Sequence, residues 1–204
     1  METATDTFLG FDPGGKKGFG AAILTGSQVA TVTVSTVAEA LDWAVERCGT
    51  SVPVAAGVDA LLHWCDGPSG WRPADKWLRT TYPKSAPSVA SANSLYGAMA
   101  VGGMALALRL RERWPPILLN ETHPKVLIPA LGAERYADAT LEAALAWFAD
   151  HAGLDVSGVQ GAHQLDALLS AWATRDGLAA GWADLVGDDP ALPFPAARVK
   201  YLWP

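Results

Sequence analysis

Short hydrophobic runs that end in turn residues alternate along the chain with segments of helical hydrophobic spacing. The strand-like runs, rich in Val, Ile, Leu, Phe and Ala, are five: 7–12, 18–25, 28–34, 52–58 and 117–121. The helical segments, several of them behind a Ser or Thr that can cap a helix, are four: 36–48, 91–113, 140–151 and 161–178. Three consecutive strands predict a meander, and the later alternation of strands and helices predicts parallel strands.

The pattern therefore predicts an α/β fold with a mixed five-stranded sheet and helices on both of its faces. The 52–58 run is apolar throughout, as expected for a strand that is covered on both sides. No repeat or low-complexity linker interrupts the order. We expect one domain over residues 1–204, with an insertion at 60–91 and a C-terminal extension at 185–204.

Composition excludes some classes of protein. Half of the residues are hydrophobic and 18% are charged, which is typical of a globular protein with a sizeable core and excludes a disordered chain. The net charge is −6, and all of it falls within residues 134–204. A dedicated coat protein for DNA needs a large positive surface, so this class is excluded. Any binding of nucleic acid is expected to be modest in affinity and favoured by low salt.

Cysteine usage and hydropathy predict a cytoplasmic protein that has no contact with a membrane. Cys48 and Cys65 form neither a disulfide framework nor a metal-binding spacing. The apolar run 98–108 is too short to span a bilayer, and the acidic N-terminus does not resemble a signal peptide.

Acidic residues end three of the predicted strands. Asp12, Asp59 and Glu121 each follow an apolar run, and right-handed crossovers would bring the carboxyl ends of these strands to one edge of the sheet. A fourth acid, Asp166, lies among apolar residues of the last predicted helix, where an unpaired charge is costly. Each acid alone also has a structural explanation: a turn, a cap or an ion pair with a nearby base such as Lys125.

Taken together, the four acids predict a metal site. Carboxylates held within a few ångströms repel one another, and a divalent cation removes that penalty. Hard oxygen ligands suit Mg²⁺ or Mn²⁺, and two such ions can support phosphodiester hydrolysis. We predict Asp12, Asp59, Glu121 and Asp166 as catalytic and metal-binding residues. His163, beside Asp166, is a fifth candidate catalytic residue, and His123 is a candidate ligand or acid–base group.

A basic and aromatic stretch lies within the predicted insertion. Cations for phosphates and rings for unstacked bases are typical of binding to single-stranded or distorted nucleic acid. The candidate contacts in this stretch are Trp71, Arg72, Lys76, Trp77, Arg79 and Lys84. The alternative is a solvated face whose tryptophans cover the core, with Asp75 pairing internally with Arg72 or Arg79. Lys16 and Lys17, just after Asp12, are further candidate contacts for a phosphate, or else a charged turn.

Two sets of motifs resemble known families. The opening Gly10-Phe11-Asp12-Pro13-Gly14 resembles the Gly-x-Asp-Pro-Gly start of bacterial Holliday junction resolvases, which have the ribonuclease H-like fold. Over roughly residues 8–175, further motifs resemble the predicted-nuclease family called domain of unknown function 429. These motifs are Asp12, Asp59, Arg72-Pro73-Ala74-Asp75 with Arg79, Glu121-Thr122-His123-Pro124, and His163-Gln164-Leu165-Asp166-Ala167. One departure is Asp59-Ala60-Leu61, where that family has Asp-x-Pro.

The resemblance implies a ribonuclease H-like, Mg²⁺- or Mn²⁺-dependent nuclease whose partner is nucleic acid; a homodimer is a further candidate assembly. Two alternatives remain open. One is a phosphotransfer enzyme of the actin-like or sugar-kinase type, which shares the fold and holds phosphate on a Gly-rich turn. The other is a binding or scaffold protein that keeps the fold without catalysis.

Overall fold

The computed structural model describes residues 6–14, 18–65, 69–91, 97–133, 140–186 and 199–204. It contains a mixed sheet with helices on both faces, which confirms the α/β fold class of ribonuclease H-like topology. The strands are β1 Thr7–Pro13, β2 Phe19–Thr25, β3 Gln28–Val34, β4 Ala55–Val58, β5 Leu118–Glu121, β6 Ala183–Asp184, β7 Val199–Lys200 and β8 Leu202–Trp203. The helices are α1 Val37–Cys48, α2 Pro73–Thr81, α3 Gly97–Arg113, α4 Pro124–Ala130, α5 Leu141–Ala152 and α6 Ala162–Ala180, with a short 3₁₀ helix at Ala86–Ser88.

The main sheet has the strand order β3-β2-β1-β4-β5-β7. Strand β2 is antiparallel to both of its neighbours, whereas β1, β4, β5 and β7 run parallel to one another. The carboxyl ends of β1, β4 and β5 therefore meet at one edge, as the crossover rule predicts. The described part of the sheet has six strands rather than the predicted five, because Val199–Lys200 of the C-terminal extension adds β7 beside β5.

Local sequence explains where two of the predicted helices begin. The hydroxyl of Thr36 accepts a hydrogen bond from the Glu39 amide at 3.1 Å, and the Glu39 carboxylate accepts one from the Ser35 amide at 2.8 Å. The hydroxyl of Thr140 likewise accepts from the Ala143 amide at 3.2 Å. Each contact satisfies an amide that has no partner within the helix, so α1 and α5 begin where the caps predict.

Alternate residues of β1 enter two separate hydrophobic cores. Phe8 packs on the side covered by α6, while Leu9 and Phe11 pack on the side covered by α1 and α3. Helices α2 and α4 were not predicted, and both begin with a proline, a residue that suits the first helical position. The predicted start of α3, at 91 or 93, reaches into residues outside the described ranges. None of the helices in those ranges is long and apolar enough to cross a membrane.

Three glycines let α6 approach the sheet closely. A Cβ atom at Gly10, Gly20 or Gly57 would overlap a backbone carbonyl oxygen of α6. These glycines lie on the three adjacent strands β1, β2 and β4, so the contact extends across the centre of the sheet. The helix backbone consequently rests on the strands themselves, and a short side chain on α6 can reach the strand ends.

Candidate functional site

Three of the predicted acids meet at the carboxyl edge of the sheet. Asp12 lies near the end of β1, Asp59 directly follows β4, and Asp166 lies on the second turn of α6. One carboxylate oxygen from each lies within 4.8 Å of the other two, and all three residues are buried. We call this group the acidic triad. The close approach of α6 to β1 and β4 is what brings Asp166 to the two strand acids.

The surroundings of the acidic triad disfavour the ionised form of its three carboxyl groups. Burial raises the pKa of Asp12, although a hydrogen bond from His163 opposes that rise. Burial and the charges of the other two acids raise the pKa of Asp59 well above its usual range. Burial, followed by the charge of Asp12, raises the pKa of Asp166 to about 7. The charge of Lys125 lowers all three values but does not cancel these effects.

The acidic triad fits a divalent cation. Its donor set consists of hard carboxylate oxygens, which Mg²⁺ and Mn²⁺ prefer. Among the described residues, Oδ1 of Asp166 is buried and has no hydrogen-bond partner. A buried polar atom without a partner is costly, so it points to a group that binds there.

His163 contacts the acidic triad from the first turn of α6. Its Nδ1 lies 2.5 Å from Oδ2 of Asp12, and its side chain is 48% exposed. Residues three apart in a helix share one face, so His163 and Asp166 both face the strand ends. The Asp12 carboxylate accepts a hydrogen bond from Nδ1 of His163. The other ring nitrogen, Nε2, is then the atom that can exchange a proton with solvent or substrate.

Glu121 ends β5 as predicted, but it lies outside the acidic triad. Both of its oxygens accept hydrogen bonds from Arg72, at 2.5 and 2.7 Å, and one also accepts from the Leu62 amide at 2.8 Å. Arg72 is 0% exposed and also donates to Asp75 at 2.6 and 2.9 Å. Burial alone would raise the pKa of Glu121, but Arg72 and His63 lower it to about 2. A ligand role for Glu121 stays a prediction, and it would require Arg72 to release the carboxylate.

The position of Arg72 also changes the interpretation of the basic stretch. The sequence predicted Arg72 as a contact for nucleic acid, whereas the structure buries it at the N-terminus of α2 in an ion network with Asp75 and Glu121. The alternative of an internal pair with Asp75 is therefore confirmed. Without a cation, the buried carboxylates of Asp75 and Glu121 would be strongly destabilising, whereas a cation on a solvated surface adds little stability. Burial of Arg72 beside the two acids is therefore favoured.

The remaining candidate contacts lie in three settings. Arg79 donates to the carbonyl oxygens of Ala86 and Val89, and its guanidinium lies 4.9 Å from the centre of the Trp71 ring. Lys76 and Trp77 are exposed on α2 and stay predicted contacts. The chain bearing Lys16 and Lys17 lies outside the described residues, and Lys84 is exposed.

His123 lies between the acidic triad and the insertion. Its Nε2 is 3.1 Å from the carbonyl oxygen of Ser88, and its Nδ1 is 3.9 Å from Oδ1 of Asp59. Since a carbonyl oxygen only accepts, Nε2 carries the proton and donates it. Burial lowers the pKa of His123 to about 4, so the ring is neutral near pH 7.

A cavity of about 250 Å³ opens directly beside the acidic triad. Its lining comes from the strand ends, the 3₁₀ helix, α3 and α4, and it includes one member of the triad, Asp59. Most of its wall is apolar, with Leu61, Val89 and Met99 among the lining residues. Sequence reasoning did not find this cavity, because it forms only where the 3₁₀ helix and the residues after it, 86–90, pack beside the strand ends.

Sequence reasoning also missed the proximity of Lys125 to the acidic triad and the pairing of Arg72 with Glu121. Lys125 lies four residues after the end of β5. This position could have predicted its proximity, because the chain leaves β5 at the sheet edge where the triad lies. No comparable signal links Arg72 to Glu121, which are 49 positions apart. A single sequence cannot reveal such a pair, although co-varying substitutions in relatives would.

Comparison with known proteins gives one structural likeness. No family model matches the chain, and no curated protein matches its sequence. The chain is similar to the Thermus thermophilus RuvC structure at 16% sequence identity, with a TM-score of 0.46. The match covers 84% of this chain and 96% of that chain. Membership of the family called domain of unknown function 429 stays a prediction from the motifs.

Proposed function

We propose that this protein is a divalent-metal-dependent nuclease that hydrolyses phosphodiester bonds at the acidic triad. The observation that carries the proposal is the convergence of Asp12, Asp59 and Asp166 at the carboxyl edge of the sheet. Three buried carboxyl groups are maintained there although burial raises the pKa of each, and repulsion by neighbouring acids raises the pKa of Asp59 and Asp166 further. Groups held in such an unfavourable state are typical of functional sites.

The three aspartates would hold Mg²⁺ or Mn²⁺. When bound, such an ion would offset the repulsion, lower the pKa of a water molecule and stabilise the departing oxygen of a phosphodiester. The acids themselves orient the site, because each comes from a separate element that is fixed by the sheet or by α6. Glu121 is left to hold Arg72, and we assign it a positioning role.

His163 and Lys125 supply the remaining chemistry. Asp12 fixes the His163 ring through Nδ1, so Nε2 can take up or release a proton near the scissile bond. Lys125 is exposed and lines the cavity beside the triad, and its charge lowers the pKa of all three acids, so its ammonium group would attract the phosphate of a substrate towards them. Exposed Lys76 and Trp77 would contact more distant parts of the nucleic acid.

Cleavage and metal binding test the proposal together. Calorimetric titration with Mn²⁺ is expected to show binding to the parent and to Asp150→Asn, which changes an exposed acid of α5. Asp12→Asn and Asp166→Asn should abolish that binding. The same two variants should cleave labelled single strands, duplexes and junctions of DNA and RNA at least roughly 100-fold more slowly, a factor that corresponds to about 3 kcal/mol.

Two results would contradict the proposal. If Mn²⁺ binds neither the parent nor Asp150→Asn, the scaffold alternative is favoured. If the parent binds metal only together with ATP and cleaves no nucleic acid, the phosphotransfer alternative is favoured.

A further inference from the structure

We propose that the cavity beside the acidic triad binds one unpaired nucleobase of the substrate, and that the attached phosphate lies between Lys125 and the triad. The inference rests on the proposed function and deepens it by naming the substrate class. The substrate would be a single strand, or a distorted duplex with an extruded base, rather than a continuous duplex. A base in a duplex cannot enter a side pocket without being unstacked.

The size and place of the cavity favour one small group, about the size of a single base. Its volume of about 250 Å³ lies just below the roughly 300 Å³ at which pockets for drug-sized ligands begin. Because Asp59 belongs to both the cavity and the acidic triad, a group in the cavity lies immediately beside the triad. In a nucleotide the sugar likewise holds the base close to the phosphate, so a base in the cavity would bring its phosphate beside the triad.

The lining favours an uncharged ring over an anion. Leu61, Pro87, Val89 and Met99 provide apolar surface, and Met99 is 40% exposed. At its polar end the cavity is bordered by the carboxyl groups of Asp59, Asp75 and Glu121, so a phosphate or carboxylate inside it would meet acids rather than a cation. Arg72, the buried cation nearby among the described residues, is already bound to Asp75 and Glu121.

Lys125 supplies the cation that the interior lacks. It lines the cavity and is exposed, and within the described part of the chain no carboxylate lies within ion-pair distance of it. A phosphate beside Lys125 would therefore pair with a charge that has no other partner there. This arrangement holds the anionic part of a nucleotide at the rim and its neutral ring inside.

The wall formed by the 3₁₀ helix is held in place before any ligand binds. Arg79 donates to the carbonyl oxygens of Ala86 and Val89 at 2.7 and 3.0 Å, and His123 donates to that of Ser88 at 3.1 Å. These contacts fix both ends and the middle of the short segment that lines the cavity. A preformed wall lowers the entropic cost of binding a ring.

The test compares ligands with and without a base. Adenosine 5′-monophosphate, ribose 5-phosphate and inorganic phosphate are titrated against the protein at low ionic strength, with and without Mg²⁺, by ligand-observed nuclear magnetic resonance. A stacked base contributes about 1–3 kcal/mol, so the parent should bind the adenine nucleotide roughly 5- to 150-fold more tightly than ribose 5-phosphate.

Two variants that fill the cavity should remove this preference. Met99→Trp acts from α3 and Pro87→Trp from the 3₁₀ helix, so a folding defect in one leaves the other informative. The matched control is Leu108→Trp, because Leu108 lies on α3, is 45% exposed and does not line the cavity. The control should keep the preference of the parent, and thermal melts should show that the variants are folded.

The outcomes separate this inference from the proposed function. Equal binding of adenosine 5′-monophosphate and ribose 5-phosphate by the parent overturns the inference, as does an unchanged preference in folded Met99→Trp and Pro87→Trp. Cleavage of a continuous duplex as fast as of a single strand also overturns it, while the nuclease proposal stands. A base preference that the two cavity variants abolish, in a protein that cleaves nothing, supports the base site and contradicts the nuclease.

Discussion

Removal of Arg72 is the sharpest test of the buried ion network at the N-terminus of α2. The guanidinium is 0% exposed and is the shared hydrogen-bond partner of two buried carboxylates, Asp75 and Glu121. In Arg72→Met the side chain keeps much of its apolar stem but loses every one of these hydrogen bonds. Two buried acids then have to be protonated or remain charged without the guanidinium, and both outcomes destabilise the folded state.

The magnitude follows from the pKa of Glu121. Burial would raise this pKa, yet Arg72 and His63 bring it down from 4.5 to about 2. A fall of this size corresponds to about 3 kcal/mol of stability at neutral pH. Removal of one partner from a buried ion pair generally costs about 3–5 kcal/mol, so the two approaches agree.

The sign with pH is fixed by the same value. Since the folded-state pKa of Glu121 lies below its unfolded value, ionised Glu121 contributes its full stabilisation above about pH 4.5. That contribution is lost as the pH falls from 4.5 towards 2. The difference between the parent and Arg72→Met is therefore largest near pH 7 and shrinks in acid.

Urea unfolding at pH 7 and pH 4, followed by circular dichroism, measures these differences. We expect Arg72→Met to lose about 3–5 kcal/mol at pH 7 and the double variant Arg72→Met/Glu121→Gln to regain part of the loss. The matched control is Arg109→Met, which breaks an exposed pair with Glu112 and should cost less than about 1 kcal/mol. A loss below about 1 kcal/mol in Arg72→Met, or a double variant no more stable than the single one, would refute the reasoning.

Three further predictions concern the site and its surroundings. Gly57→Ala should lower the free energy of unfolding in urea by about 1–3 kcal/mol and weaken the Mn²⁺-induced rise in melting temperature, because its Cβ would overlap the Ser170 carbonyl of α6. The control is Gly158→Ala, which has open space around it, and an equal loss of stability in both variants would contradict the close-packing argument. Because the folded-state pKa of Asp166 is about 7, the metal-free protein should lose stability as the pH increases from about 4 to 7, and Mn²⁺ should increase the melting temperature more at pH 8 than at pH 5.5. An effect of Mn²⁺ on the melting temperature that does not depend on pH would count against competition between protons and metal. Trp77→Ala should weaken binding of single strands more than of duplexes in a fluorescence-anisotropy titration, since base stacking contributes about 1–3 kcal/mol per base, and an unchanged affinity would assign Trp77 to packing against Tyr82.

The predicted topology could be obtained from one sequence because its signals are local. The caps at Thr36 and Thr140 and the apolar runs of β1 to β5 each lie within a few residues of the element they specify. The crossover rule then places the strand ends at one edge without any knowledge of side-chain contacts. This was sufficient to bring Asp12 and Asp59 together, since both follow parallel neighbouring strands.

What could not be predicted depends on contacts between distant segments. Gly10 and Gly57 are unremarkable in a strand until α6 rests on them, and their importance appears only in the overlap with Ala167 and Ser170. The sixth strand of the sheet forms from a two-residue segment, Val199–Lys200, which has no periodicity to detect. The cavity likewise needs residues 86–90 to pack beside the strand ends, a long-range contact that turn and helix signals do not encode.

Glu121 is an acid at a strand end that does not belong to the acidic triad. Glu121 and Asp59 both lie at the end of a parallel strand, so the sequence treats them alike, but Glu121 is the last residue of β5 and pairs in register with Val58, one position before Asp59. The structure separates them by their partners: Arg72 satisfies Glu121 from within the protein, whereas Asp59 and Asp166 have no partner of comparable strength among the described residues. Removing a satisfied charge should destabilise the protein, and removing one from a repelling group should stabilise it.

Glu121→Gln and Asp166→Asn should therefore change the metal-free melting temperature in opposite directions at pH 8. Glu121→Gln should lower it while keeping the Mn²⁺-induced rise, because the acidic triad is intact. Asp166→Asn should raise it, by about 2–4 °C for each kcal/mol of repulsion relieved, and abolish the response to Mn²⁺. Differential scanning fluorimetry with and without Mn²⁺ measures all four values. If Glu121→Gln instead raises the metal-free value and removes the Mn²⁺ response, Glu121 is a metal ligand and Arg72 must move away from it when metal binds.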